Sequence, residues 1–162
     1  MFYYYCVDRY VDDYVSANGN GSLKGGKEFT IPGTFCIGDG TNAAGTLTRW
    51  VRDTFYEEEL KKERAGGENA YAVMAREAAE VEAGSEGLII LPYIYGERSP
   101  IQDAKASGML FGLKGTHTRK QINRAALEAV GYSTLQHMIL FDAMTLPPKS
   151  VITAGGGTKN AA

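Results

Sequence analysis

Gly108-Met109-Leu110-Phe111-Gly112-Leu113, followed after seven residues by Gln121-Ile122-Asn123-Arg124-Ala125-Ala126-Leu127-Glu128, is the stretch that decides how this chain reads. It sets a glycine-bounded apolar segment just ahead of a long helix, predicted over residues 118–144. Thr118 and Gln121, three apart, form a capping box that satisfies two orphan donors at the helix start. Ile122, Ala126, Ala129, Val130 and Ser133 continue a small and apolar stripe at helical spacing. Gly131 costs roughly 1 kcal/mol relative to alanine at such a position, so a packing reason is expected for it. Pro147-Pro148 then stop the helix.

Working outward, Gly-Leu-Ile-Ile-Leu-Pro at residues 87–92 is a short continuous apolar run, suited to a strand buried on both faces. Residues 93–115 are irregular and rich in Gly, Ser and Pro. Residues 69–81 read as a helix capped by Asn69, with Tyr71, Met74, Ala78 and Val81 on one face. The charged run at 57–68, broken by Gly66-Gly67, reads as a solvated helix end and loop without direct function. Residues 42–55 are helical, with Ala44, Leu47, Trp50, Val51 and Phe55 on the apolar side. Further upstream, residues 1–7 and 29–37 read as strands. The turn signal Asn18-Gly19-Asn20-Gly21 lies between them, and Pro32-Gly33 bends the second at an edge or bulge. The tyrosines of residues 10–14 are read as packing over that hairpin. Residues 150–154 form the last strand. The order strand-helix-strand-helix-strand indicates an α/β class with parallel pairing.

Of 162 residues, 44% are apolar and 22% charged, a globular composition of one domain or a piece of a larger protein. A net charge of −2, with both signs mixed along the chain, suggests no nucleic-acid partner. No apolar run approaches the ~20 residues of a membrane helix. Residues 1–6 are too short and uncharged for a signal peptide. Two cysteines, Cys6 and Cys36, could pair; without a secretion signal they are expected to stay reduced as apolar fillers, which favours the cytoplasm. The 20 glycines, well above the ~7% usual, are grouped where backbone must turn or come close to something.

The carboxy-terminal group is the first candidate for chemistry. Val151-Ile152-Thr153-Ala154-Gly155-Gly156-Gly157-Thr158-Lys159-Asn160 reads as a buried strand, a glycine turn and a helix start, which offers unpaired N–H groups to an anion or a polar base. It is neither a Walker A loop nor G-x-G-x-x-G. A plain strand-to-helix corner is the competing reading.

The stretch from Gly108 to Glu128 resembles the carboxy-terminal signature of the FGGY family of carbohydrate kinases. Its long-helix part, Arg124 to Glu128 with Gly131-Tyr132, looks like the family's helix motif, and three further segments support the resemblance: Leu91-Pro92-Tyr93 with Gly96-Glu97-Arg98-Ser99-Pro100, as in xylulokinase-like members; the triple glycine with Asn160; and Gly45-Thr46-Leu47-Thr48-Arg49-Trp50. The resemblance covers about residue 32 to the end, with residues 1–31 as a variable hairpin region inside one truncated domain, 1–162. Gln102, Ala104 and Ser107 depart from residues that many members carry in the loop facing the cleft.

That resemblance implies a partial ribonuclease H-like domain of the actin-like ATPase, sugar kinase/hexokinase superfamily. It implies transfer of the γ-phosphate of ATP, with Mg²⁺, to a hydroxyl of a ketopentose such as xylulose. Ribulose, gluconate and glycerol are alternatives, because the sugar is held mainly by the other domain. Carried over by position, Gly45 and Arg49 lie near phosphates or ribose, Gly155, Gly156 and Gly157 pack on the adenosine, and Asn160 bonds the base or sugar. The family's catalytic aspartate falls upstream of Met1, so no catalytic residue and no metal ligand is assigned, and the chain alone is expected to be inactive. A sheet lacking strands exposes an edge, so self-association, including a homodimer, is an expectation. A non-catalytic nucleotide-binding or oligomerising remnant is the reading from another class. His117 and His137 are read as structural, Glu128 as a packed and paired carboxylate, Trp50 as core, and Glu97-Arg98 as either a local ion pair or a pair reaching the cleft.

Overall fold

The computed structural model describes residues 2–7, 14–15, 22–28, 35–99, 101–145 and 150–152. Four strands form one antiparallel sheet: β1 (Phe2–Val7), β2 (Tyr14–Val15), β3 (Ser22–Glu28) and β4 (Phe35–Gly40), in the order β1-β4-β3-β2. β2 and β3 pair Tyr14 with Leu23 and Val15 with Ser22, either side of the predicted turn at 18–21, which itself lies outside the described residues. So do residues 10–13 and the Pro32-Gly33 bend. β4 begins later than the strand expected at 29–37 and runs on to Gly40.

α1 (Ala44–Phe55), α2 (Glu57–Arg64) and α3 (Ala70–Ala79) follow. The apolar period of α1 buries Ala44, Leu47 and Val51, while Trp50 and Phe55, edge-to-face at 5.7 Å, pack half-buried against the same core. α2 is a helix of its own rather than a frayed end, although it buries none of its residues. Its first turn carries Glu57, Glu58 and Glu59 and its last Lys61, Lys62 and Arg64, which suits the helix dipole. Asn69 caps α3 by accepting from the Tyr71 N–H at 3.0 Å. The buried face of α3 is Ala70, Met74 and Ala78; Tyr71, expected among them, is instead exposed under the Arg52 guanidinium. Ala70 already occupies the inward position one residue earlier, so Tyr71 is rotated out by about a quarter turn.

Residues 84–87 all have positive φ, including the non-glycines Ser85 (48°) and Glu86 (56°). This left-handed turn is held from outside. Glu128 accepts from the Gly84 N–H at 2.8 Å and the Ser85 hydroxyl at 2.9 Å, and Lys114 Nζ donates to the Glu86 carbonyl at 3.0 Å. Glu128 also pairs with Arg124 at 2.9 Å, which bears out its reading as a packed, paired carboxylate. The turn launches β5 (Ile89–Leu91), which pairs with β6 (Met109–Phe111). Gly112, with φ of 79°, closes this ribbon: a Cβ there would sit 2.4 Å from the Gly87 carbonyl oxygen, so glycine is required.

The parallel pairing expected from element order is not found among the described strands, whose ladders are all antiparallel. A parallel neighbour requires a crossover, usually a helix. The described part of 92–108 between β5 and β6 contains none and folds the chain straight back. Nor do residues 150–152 form the expected last strand; Val151 and Ile152 are exposed, and a strand exists only through its ladder.

α4 (Arg119–Ala143) carries the capping box read from Thr118 and Gln121, and it ends before the two prolines. Ala125, Ala126 and Ala129 press against Leu47, Val51, Tyr56, Met74, Leu88 and Ile90 to make the main core. Small residues on α4 let α1, α3 and β5 approach it closely. Gly131 has no packing reason: it is exposed, and nothing lies within 4 Å of where its Cβ would be.

Arg119, at the first position of α4, ties the helices together. It donates to Glu77 at 2.6 and 3.0 Å and to Glu59 at 3.1 and 3.2 Å, and lies 4.3 Å over the ring of buried Tyr56. The Tyr56 hydroxyl donates to Glu77 at 2.8 Å. Burial first, and then the Glu77 carboxylate, push the Tyr56 phenol up. For Glu77, burial pushes upward but is outweighed by the bonds from Arg119 and Tyr56, which hold its carboxyl below the ordinary range. Glu59, in a run read as functionless solvent charge, is thus a structural partner.

Candidate nucleotide-binding site

The start of α1 is organised by one carboxylate far away in sequence. Glu97 is 3% exposed. It accepts from the Thr41 hydroxyl at 2.6 Å, the Asn42 N–H at 3.0 Å and its neighbouring Arg98 N–H at 2.7 Å. Asn42 Nδ2 also donates to the Tyr95 carbonyl at 3.4 Å. A buried carboxylate is tolerated only when paired or well hydrogen-bonded, and three donors meet that need. Glu97 braces the entry to α1 from the inside.

α1 itself starts without a side-chain cap. Ala43 stands at the N-cap position, and no acidic residue lies in the first turn. No side chain of α1 itself caps its first N–H groups; the nearest negative charge is the Glu97 carboxylate behind the helix start, on the Asn42 N–H. Gly45 and Arg49, four residues apart, share the exposed side of this helix, opposite Leu47 and Val51. A Cβ at Gly45 would meet nothing within 4 Å, so the glycine serves no internal packing; it leaves backbone open to approach from outside. Arg49 makes no ion pair among the described residues. The structure thus brings Gly45 and Arg49 together on one accessible face. Gly155, Gly156, Gly157 and Asn160 lie outside the described residues.

The two histidines have local partners. Nδ1 of His117 accepts from the Lys114 N–H at 3.2 Å, and buried His137 sits 2.8 Å from the Ser133 carbonyl through Nδ1. Trp50, with Leu47, Ile90, Ile94 and Met109, lines a shallow, mainly apolar groove of about 270 Å³ between α1 and the β5–β6 ribbon. Among the described residues no group of three or more His, Cys, Asp and Glu lies together as a metal cage, and no helix is long and apolar enough to cross a membrane.

Sequence reasoning did not reach the role of Glu97 at the start of α1. Its partners lie 55 and 56 residues upstream, and no local pattern announces such a bond. The available signal was a carboxylate, beside Arg98, in an apolar and glycine-rich loop.

Comparison with known proteins gives a consistent result. Residues 13–162 match the family described as FGGY family of carbohydrate kinases, C-terminal domain. The match begins upstream of residue 32, so it takes in part of the stretch read as a variable hairpin. The chain is 35% identical over 121 residues to the gluconokinase of Bacillus subtilis (strain 168), an alignment that covers 75% of this chain and 24% of the relative. It is 30% identical over 131 residues to a xylulose kinase of Staphylococcus epidermidis, covering 81% of this chain and 24% of the relative. In structure it superimposes on the xylulose kinase from Rhodospirillum rubrum with a TM-score of 0.79 and 29% identity, over 99% of this chain and 29% of that one. The chain therefore spans about a quarter of the length of these relatives, as the aligned shares show.

Proposed function

The chain belongs to the FGGY family of carbohydrate kinases, and from that premise we propose that it forms the nucleotide side of an ATP-dependent sugar kinase. The observation that carries this reading is the exposed Gly45–Arg49 face at an uncapped helix start, anchored from behind by Glu97. These residues fit a nucleotide: open backbone for close approach, N–H groups without side-chain caps for an anion, and a guanidinium for phosphate or ribose oxygens. Gly155, Gly156 and Gly157 would pack against the adenosine, and Asn160 would hydrogen-bond the base or sugar.

Bound ATP supplies the phosphoryl group, and Mg²⁺ enters with its phosphates. The work of this chain is to orient the nucleotide and offset its charge. Phosphoryl transfer depends mostly on such positioning and electrostatic stabilisation. The catalytic carboxylate and most contacts to the acceptor are assigned to the part of the relatives that the chain does not span. On that account these 162 residues alone transfer no phosphate. The acceptor is a ketopentose such as xylulose, in keeping with the structural likeness to a xylulose kinase. Gluconate is the second reading, favoured by the 35% identity to a gluconokinase.

Calorimetry with MgATP tests the nucleotide site, with Gly45→Leu and Gly156→Asp variants alongside the parent chain. Saturable binding is expected in the parent, weakened tenfold or more in each variant, a loss of about 1.4 kcal/mol or greater. Absence of saturable binding to a folded parent chain would overturn the reading.

A further inference from the structure

The register of the amino-terminal sheet brings the two cysteines of the chain together. β1 and β4 pair antiparallel with Cys6 directly opposite Cys36, although β2 and β3 come between them in sequence. Residues opposite one another in an antiparallel ladder have Cα atoms about 4.5 or 5.5 Å apart, according to the hydrogen-bonding class of the pair. A disulfide spans Cα separations of about 4.4–6.8 Å, so either class suits one. On the other side of β4, the register sets Lys27 of β3 opposite Cys36. A cation beside a thiol favours the thiolate, which is the form that attacks a disulfide. The expectation that both cysteines are inert fillers took no account of this juxtaposition.

We propose that Cys6 and Cys36 form a reversible intramolecular disulfide, a redox latch across β1 and β4. The oxidant is a small-molecule disulfide of the glutathione class. The Cys36 thiolate attacks one sulfur of the oxidant, forming a mixed disulfide and expelling one small thiol. The Cys6 thiolate then displaces the second small thiol and closes the protein disulfide. Two protein thiols are oxidised, the S–S bond of the oxidant is reduced, and the two protons end on the released thiols. The latch acts on the strand that feeds the site. β4 ends at Gly40, and Thr41 and Asn42, held by Glu97, lead directly into α1. Any effect on nucleotide affinity rests on the function proposed above; formation of the latch does not.

The test is peptide mapping of the native protein. It is equilibrated with oxidised glutathione, free thiols are blocked, and the chain is digested without reduction. The expected result is a single linked peptide pair joining Cys6 to Cys36, on a chain that stays monomeric on a non-reducing gel and releases both thiols with dithiothreitol. These 162 residues hold two cysteines, so a bond within them can only be this one. Persistent glutathione adducts on both cysteines, unreacted thiols, or links found only between chains would overturn the latch. In a Cys6→Ser variant the proposal expects a stable glutathione adduct at Cys36 and no rise in thermal midpoint on oxidation, against a rise in the parent. An equal rise in both would also overturn it. The mapping uses the parent protein, so it holds even if the variant folds poorly.

Discussion

α1 and α4 begin in opposite ways. At α4 side chains close the helix start: the Thr118–Gln121 capping box, and Arg119 drawn into Glu59, Glu77 and the face of Tyr56. At α1 no side chain does so: Ala43 is the N-cap and Gly45 leaves the outer face bare, while neither helix carries an acidic residue in its first turn. Yet α1 is no less firmly placed, because Glu97 holds Thr41 and Asn42 from below. On the function proposed above, the α1 start is the one that would receive an anion, and its bracing from behind leaves the front open for it.

The largest effect should come from removing that brace. Glu97→Ala leaves the Thr41 hydroxyl and two N–H groups without their buried acceptor, and about 3 kcal/mol of stability should be lost. Urea unfolding would read the loss as a lower midpoint at unchanged m-value. If the two helix starts differ as described, nucleotide affinity should fall with it. A variant of normal stability would break the comparison.

At the other start, Arg119→Ala should cost about 2 kcal/mol, because Glu59 and Glu77 are left facing each other and Tyr56 loses its cation. Nucleotide affinity of the folded chain should not change. The same network has a pH signature. The Glu77 carboxyl is held below its unfolded value, so its contribution is fully present above an unfolded pKa of about 4.3 and is lost as pH falls through the lower folded value. Acid titration of thermal stability should show this loss in the parent and a weaker one in Arg119→Ala.

The smallest effect lies in the body of α4. Gly131 is exposed and unencumbered, so Gly131→Ala should raise stability by about 0.5–1 kcal/mol with no change in ligand binding. Destabilisation instead would mean that something packs on that face.

Local chemistry in the sequence determined α1, α3, α4 and the place of β5, but not its burial: Ile89 is exposed where both faces were expected to be covered. Apolar spacing marked Leu47, Val51, Met74, Ala126 and Ala129 as inward, and Asn69 and Thr118 announced their caps, because periodicity and capping act within a few residues. The family could be read the same way, from motifs in order. Tertiary structure alone decided what depends on distant partners. Strands that element order suggested were parallel pair antiparallel, because a ladder depends on which neighbour the chain reaches. Tyr71 turned outward and Gly131 proved free of packing, because burial depends on what lies opposite. Glu59 and Glu97 became structural carboxylates through donors 55 to 60 residues away, beyond any local pattern.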